Sequence, residues 1–163
     1  MKRLKSIFIF LVIVTVILTG CTHDSNYTPP DEMARLQSID IIKYFENKDI
    51  DGLKSMFCNK VQSEHNLDKE IEGAFEFING KIISYDEPDG TVGGKTIKHG
   101  ETTKLEFMGN VKNIKIDENE GVVYSLYFNS YAVHQEDASK VGVTNIRIFL
   151  KDELLCEIGE IVR

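Results

Sequence analysis

Residues 66–85, NLDKEIEGAFEFINGKIISY, contain the point at which the chain changes from helix to strand. Asn66 is a typical N-cap, and Asn79 with Gly80 is typical of a helix C-terminus. Between them, apolar residues recur at helical spacing, at Leu67, Ile71, Ala74, Phe75 and Ile78. From residue 81 the apolar period becomes two, which is the period of a strand. The stretch therefore predicts a helical N-terminal part followed by a β-sheet.

Two more helices are predicted upstream of this stretch. The first begins at Asp31, and its apolar stripe consists of Ile39, Ile42 and Phe45. Residues 47–49, Asn-Lys-Asp, end it. Asp51 is then predicted to cap a short second helix, whose apolar positions are Leu53, Met56 and Phe57.

Strands are predicted for most of the chain after Gly80. The first covers residues 81–85, and a loop with four glycines follows at residues 87–100. The later strands are predicted at residues 103–116, 122–133, 146–150 and 154–162. In the first of these the apolar parity switches between Gly109 and Asn113, which indicates a bulge. The order predicts a single α+β domain over residues 31–163, with N-terminal helices packed on a curved antiparallel sheet.

The strand at residues 122–133 presents aromatic side chains on both faces. Tyr124 and Phe128 should point towards the helices, where they either line a cavity or form plain core. The other face carries Tyr127, Asn129 and Tyr131. These three are predicted to point outward and form an interface, including one between two copies of the chain. Surface tyrosines that serve no interface are the alternative.

The N-terminus has the pattern of an export signal. Lys2, Arg3 and Lys5 precede an apolar core at residues 7–18. A membrane-spanning helix needs about 20 apolar residues to cross ~30 Å of hydrocarbon, so this core is short for a retained span.

The end of this leader, Leu18-Thr19-Gly20-Cys21, resembles the bacterial lipobox. The resemblance implies that residues 1–20 are a lipoprotein signal peptide and that Cys21 becomes acylated, with residues 21–30 as a lipid-bearing flexible tether. Two acyl chains give stable membrane anchoring, whereas one gives marginal binding. The expected location is the cell membrane, lipid-anchored and facing outside. An ordinary secretory signal with a chance cysteine is the alternative.

The net charge of the chain limits the classes of partner that it can bind. The 163 residues carry a net charge of −7, and loss of the three basic residues of the leader takes it to −10. Such acidity argues against nucleic acid, whose phosphates are bound by basic residues. It also disfavours flat binding to an anionic membrane, so the lipid is expected to provide the attachment.

The sequence contains no recognisable catalytic or metal-binding motif. The glycine-rich segment lacks the P-loop spacing. A calcium-loop start at Asp117 fails because Val122 and Phe128 stand where Gly and Glu are required. The four histidines, His23, His65, His99 and His134, lack metal-ligand spacing. We predict no metal and no cofactor. Cys58 and Cys156 are either a disulfide pair or two buried thiols.

Three segments resemble known families. Residues 43–57, KYFENKDIDGLKSMF, look like the helix end, acidic break and short helix of the nuclear transport factor 2-like and cystatin-like cone fold, which ketosteroid isomerase shares. Residues 75–90 and 141–155, FEFINGKIISYDEPDG and VGVTNIRIFLKDELL, look like an uncharacterised, mostly Gram-positive lipoprotein family. The resemblance implies the cone fold but transfers no catalytic residue.

These observations favour a membrane-anchored extracytoplasmic lipoprotein that acts as a non-catalytic binding or interaction module for an unknown protein or small ligand. The alternative is a small-molecule carrier or enzyme that uses a ketosteroid-isomerase-like pocket. That pocket would be lined by Tyr44, Tyr85, Tyr124 and Phe128.

Overall fold

The computed structural model describes residues 28–117 and 121–162, in which the α-helices precede the strands. The helices are α1 (Pro30–Asn47), α2 (Ile50–Ser55), α3 (Asn59–Glu64) and α4 (Leu67–Phe77). The strands are β1 (Ile82–Ser84), β2 (Asp89–Lys98), β3 (Glu101–Ile116), β4 (Tyr124–His134), β5 (Gly142–Leu150) and β6 (Glu153–Gly159). A short 3-10 helix, Ala138–Lys140, connects β4 to β5. The prediction of an α+β domain with N-terminal helices is confirmed.

The six described strands form one open antiparallel sheet. Its order is β1–β3–β4–β5–β6, and β2 pairs with β3 beside β1. The register of β3 against β4 shifts between Val111 and Ile114, where Asn113 has a φ of 54°. This irregularity agrees with the predicted bulge, because an extra residue in one strand changes the face of every side chain beyond it.

The glycine-rich segment is a strand, so the prediction of a loop at residues 87–100 is wrong. Residues 89–98 form β2, a largely exposed strand that pairs only with β3 in the described sheet. It shows no apolar alternation because it buries almost no side chain. Gly90 is required where β2 passes α1, since a β-carbon there would overlap the Ala34 side chain.

The helical part differs from the prediction in two details. Asp49, and not Asp51, caps α2, because its carboxylate accepts the Gly52 backbone N–H at 2.8 Å. Helix α3 was not predicted. It buries only Val61 among its six residues, so its sequence contains no apolar stripe.

The predicted end of α1 is confirmed, and Lys48 is the residue that makes it. Its backbone is left-handed, with a φ of 52°, as is common where helices end. Its ammonium donates to the carbonyl oxygens of Phe75 at 2.8 Å and Ile78 at 2.6 Å. Burial lowers the pKa of this ammonium group. Lys48 thereby ties the end of α1 to the last carbonyls of α4.

Aromatic side chains fill the space between helices and sheet. Phe45 of α1 meets Phe75 of α4 edge-on, with ring centroids 5.0 Å apart. Phe107 of β3 and Phe128 of β4 form a second edge-on pair at 6.4 Å. Gly109 lies directly opposite Phe128 in the β3–β4 register, and a β-carbon at Gly109 would overlap that ring. Because Gly109 has no side chain, the Phe128 ring can pack directly against the backbone of β3.

Candidate functional site

Of the four residues predicted to line a pocket, two are core residues. Phe128 is 1% exposed and Tyr124 is 6% exposed, and both belong to the core. Tyr44 packs half-buried against the core, and Tyr85 lies exposed just after β1. Tyr124 and Phe128 therefore take the alternative role, that of plain core.

The opposite face of the sheet contains a polar and aromatic surface. Side chains that are register partners on neighbouring strands share one face. Asn110, Tyr127, Arg147 and Glu157 form one such row across β3 to β6. Met108, Asn129 and Asn145 form the next row. We define the outer-face site as Tyr127, Asn129, Asn145, Arg147 and Phe149.

Two of the residues predicted to be exposed on this face are buried. Tyr131 is 4% exposed, and its hydroxyl donates to the Val162 carbonyl at 3.1 Å. Asn129 is 6% exposed. The prediction of outward exposure is therefore wrong for Tyr131 and Asn129, whereas Tyr127 is partly exposed. Register shifts at Asn129/Ser130 and at Leu105/Glu106 separate Tyr131 from the regular alternation of Tyr127.

The outer-face site contains three buried polar atoms without a hydrogen-bond partner in the described part of the chain. They are Asn129 Oδ1, Asn145 Oδ1 and Arg147 Nε. Glu157 stands opposite Arg147 in the β5–β6 register, but its Oε1 accepts from Asn145 Nδ2 at 2.6 Å. All three atoms are inaccessible to solvent, so a molecule that docks on this face would not reach them directly.

A cleft of about 290 Å³ opens on the same face of the sheet. Its lining residues are Tyr127, Arg147, Phe149, Lys151 and Asp152. The Tyr127 and Phe149 rings meet edge-on, with centroids 5.4 Å apart. Within the described residues Arg147 forms no ion pair. On an acidic protein, the cleft thus combines an aromatic wall with two positive side chains and one negative.

A larger surface depression, of about 600 Å³, lies where α1 ends. Lys48 lines it, together with Glu46, Asn47, Gly80, Lys81 and Ile82. The Lys48 ammonium is already occupied by two carbonyl oxygens. Lys48 therefore has a structural role at this depression, where it joins α1 to α4.

The described histidines have structural partners or lie on the surface. His65 Nδ1 is 3.0 Å from Glu70 Oε1, and Glu70 Oε2 accepts the Gly159 backbone N–H at 2.8 Å. This links α4 to the end of β6. His134 Nδ1 accepts from the Asp137 backbone N–H at 3.1 Å. Across residues 28–117 and 121–162, no group of three or more His, Cys, Asp or Glu side chains could hold a metal ion.

Both described cysteines are free thiols, so the structure contains no Cys58–Cys156 disulfide. Cys58 is buried where α2 gives way to α3, and its N–H donates to the Val143 carbonyl at 2.8 Å. Cys156 lies on β6, and burial raises the pKa of its thiol to about 11 from an ordinary 9.0.

Slow alkylation of Cys156 follows from this raised pKa. Only the thiolate reacts, and at neutral pH its fraction is roughly a hundredfold lower than for an exposed thiol. We expect iodoacetamide at pH 7.5 to modify Cys156 at most about one hundredth as fast as free cysteine, as measured by peptide mass spectrometry. In urea the rate should return to that of free cysteine. Rapid alkylation of the native protein would contradict the burial that raises the pKa.

The leader and Cys21 lie outside the described residues. In the part of the chain that is described, no helix has the length and apolar character needed to cross a membrane.

The comparison with known proteins identifies the domain without supplying an activity. A family model described as "Domain of unknown function (DUF5104)" matches residues 40–152, well over half of the chain. The matched range includes every residue of the outer-face site. No curated protein matches the chain.

Proposed function

This chain belongs to DUF5104, a family of unknown function, and we propose that it is a lipid-anchored extracytoplasmic protein whose folded domain binds a partner protein. The leader and the Leu18-Thr19-Gly20-Cys21 sequence support the anchoring. The tether of residues 22–30 reaches at most about 30 Å when fully extended. The domain would therefore work close to the outer membrane surface, and the partner would be another protein at that surface.

The cleft of the outer-face site carries the proposal. Tyr127, Arg147 and Phe149 line it on one sheet face, and within the described residues Arg147 forms no ion pair. Tyrosine and arginine are enriched where proteins bind each other. A docked protein would cover the two aromatic rings and give Arg147 a partner.

A second copy of the chain is one partner that fits this surface, as the sequence suggested.

The nuclear transport factor 2-like or cystatin-like cone remains our proposal for the fold, and a mostly Gram-positive lipoprotein family our proposal for the relatives of this chain. The bulged antiparallel sheet with N-terminal helices supports the proposed fold. The carrier or enzyme alternative loses its support because Phe128 and Tyr124 pack in the core.

Site-specific photo-crosslinking in the source cell tests the proposed partner surface. A photoreactive phenylalanine analogue at Ser125, the register partner of Phe149, should capture a partner protein. The same analogue at Glu72, an exposed position on α4, should capture much less. We expect at least a fivefold difference in adduct yield, because the contact is confined to one face.

The mass of the crosslinked adduct identifies the partner. An adduct of twice the monomer mass indicates a homodimer, and another mass indicates a different protein. Equal yields from Ser125 and Glu72, or no adduct from Ser125, would contradict an interface on the outer face.

A further inference from the structure

We infer that the cleft beside Arg147 receives the carboxylate of an acidic side chain of the partner protein. This inference rests on the proposed function, because it names the chemistry that the partner presents to the outer-face site. Arg147 would hold the carboxylate, and Tyr127 with Phe149 would contact the apolar stem of the same side chain.

Arg147 lacks a carboxylate partner among the described residues, and this supports the inference first. Its Nε is buried without a partner, and the nearest carboxylate along its row, Glu157, is held by Asn145 Nδ2 at 2.6 Å. A guanidinium group presents its N–H groups as a planar fork that matches a carboxylate. Arg147 is half-buried and forms no ion pair among the described residues, so an incoming carboxylate would supply the partner that its guanidinium lacks.

The charge balance and size of the cleft favour a single negative charge. Arg147 and Lys151 contribute two positive charges, and Asp152 removes one. A net charge of one suits a carboxylate better than a doubly charged phosphate. The volume of about 290 Å³ is at the lower limit for small-molecule pockets and is sufficient for one side chain.

The aromatic wall of the cleft indicates that the carboxylate belongs to a side chain. The Tyr127 and Phe149 rings meet edge-on, with centroids 5.4 Å apart, and both line the cleft beside Arg147. The methylene stem of an acidic side chain would bury part of this apolar surface, whereas a free inorganic anion would leave it in water. Asn129 and Asn145 are buried, so their amide oxygens take no part in the contact.

Titration with a single blocked amino acid tests the inference. The probe is N-acetyl-glutamate amide, and its neutral isostere N-acetyl-glutamine amide is the control. Both are added to the ¹⁵N-labelled full chain, extracted from membranes in detergent, while the Arg147 Nε–H resonance is followed by NMR. We expect the glutamate probe to shift this resonance and to bind at least tenfold more tightly than the glutamine probe, since a charge-assisted hydrogen bond is lost in the latter.

Two substitutions and one competing anion complete the test. Arg147→Gln should weaken glutamate binding at least tenfold, whereas Arg35→Gln, which breaks an exposed pair with Glu32 on α1, should leave it unchanged. If Arg147→Gln fails to fold, Arg147→Lys keeps the charge without the fork and should weaken binding severalfold. Inorganic phosphate that binds as tightly as the glutamate probe would overturn the inference in favour of a general anion site. Equal binding of both amino-acid probes would also overturn it.

The two proposals can fail separately. If Ser125 captures a partner but the glutamate probe does not bind, the outer face is an interface and the carboxylate inference is wrong. If the probe binds but Ser125 captures nothing, the cleft has the stated chemistry and the proposed partner surface is wrong.

Discussion

Replacing Phe128 with Ala is expected to lower the free energy of unfolding by about 3–5 kcal/mol. Phe128 is 1% exposed and lies between Gly109 and the edge of the Phe107 ring. Removing it forfeits the transfer free energy of the ring and leaves a cavity at the centre of the sheet. Urea unfolding followed by circular dichroism measures the change.

The pairing of Gly109 with Phe128 sharpens this prediction. Gly109→Ala alone should cost about 1–3 kcal/mol, because the new methyl group overlaps the ring. In the double variant the methyl group would occupy part of the vacated space. The combined cost should therefore be smaller than the sum of the two single costs by about 1 kcal/mol or more.

Gly73 provides the matched control for a glycine substitution. It lies in α4, and a β-carbon there would have no neighbour within 4 Å. Gly73→Ala should stabilise the domain by about 0.5–1 kcal/mol, since alanine restricts the unfolded chain and favours helix. Strict additivity of the Gly109 and Phe128 changes, or destabilisation by Gly73→Ala, would contradict the packing described.

The sequence predicted those elements whose side chains are buried on one face. Helix α4 was predicted from its apolar spacing because Leu67, Ile71, Ala74 and Phe75 all face the core. Strand β2 and helix α3 were missed because they bury very little, and a local pattern records burial rather than backbone pairing. The predicted alternation of buried and outward-facing side chains in β4 is correct as far as Phe128.

The candidate site depended on register, which the sequence specifies only indirectly. The outward exposure of Tyr131 was predicted from strict alternation, but register shifts and the C-terminal segment at Val162 bury it. Arg147 was not among the predicted site residues, because a single cation in an apolar strand matches no binding motif. Glu157 lies opposite Arg147 in the register but accepts a hydrogen bond from Asn145 instead. Which of these two residues Glu157 contacts depends on side-chain geometry that the sequence does not specify.

The anchoring proposal leads to an all-or-none expectation for Cys21. Cys21→Ala removes the thiol of the lipobox-like sequence, so incorporation of radiolabelled palmitate should fall to background. Residues 1–20 should then remain attached, because acylation precedes cleavage in the lipobox pathway that the sequence resembles. Intact-mass analysis of the membrane-extracted protein measures both changes, with the unaltered chain expected to begin at an acylated Cys21.

Cys58→Ala is the control, because Cys58 is a buried thiol of the folded domain and should have no part in acylation. Labelling that survives in Cys21→Ala, or an unaltered chain that retains Met1, would contradict the anchor. Each buried methylene of an acyl chain contributes about 0.8 kcal/mol, so two chains hold the protein on the membrane far more firmly than any contact of an acidic domain with anionic lipid could. Under the anchoring proposal, the location of the protein depends on this one thiol, and so does the set of proteins that the outer-face site can meet.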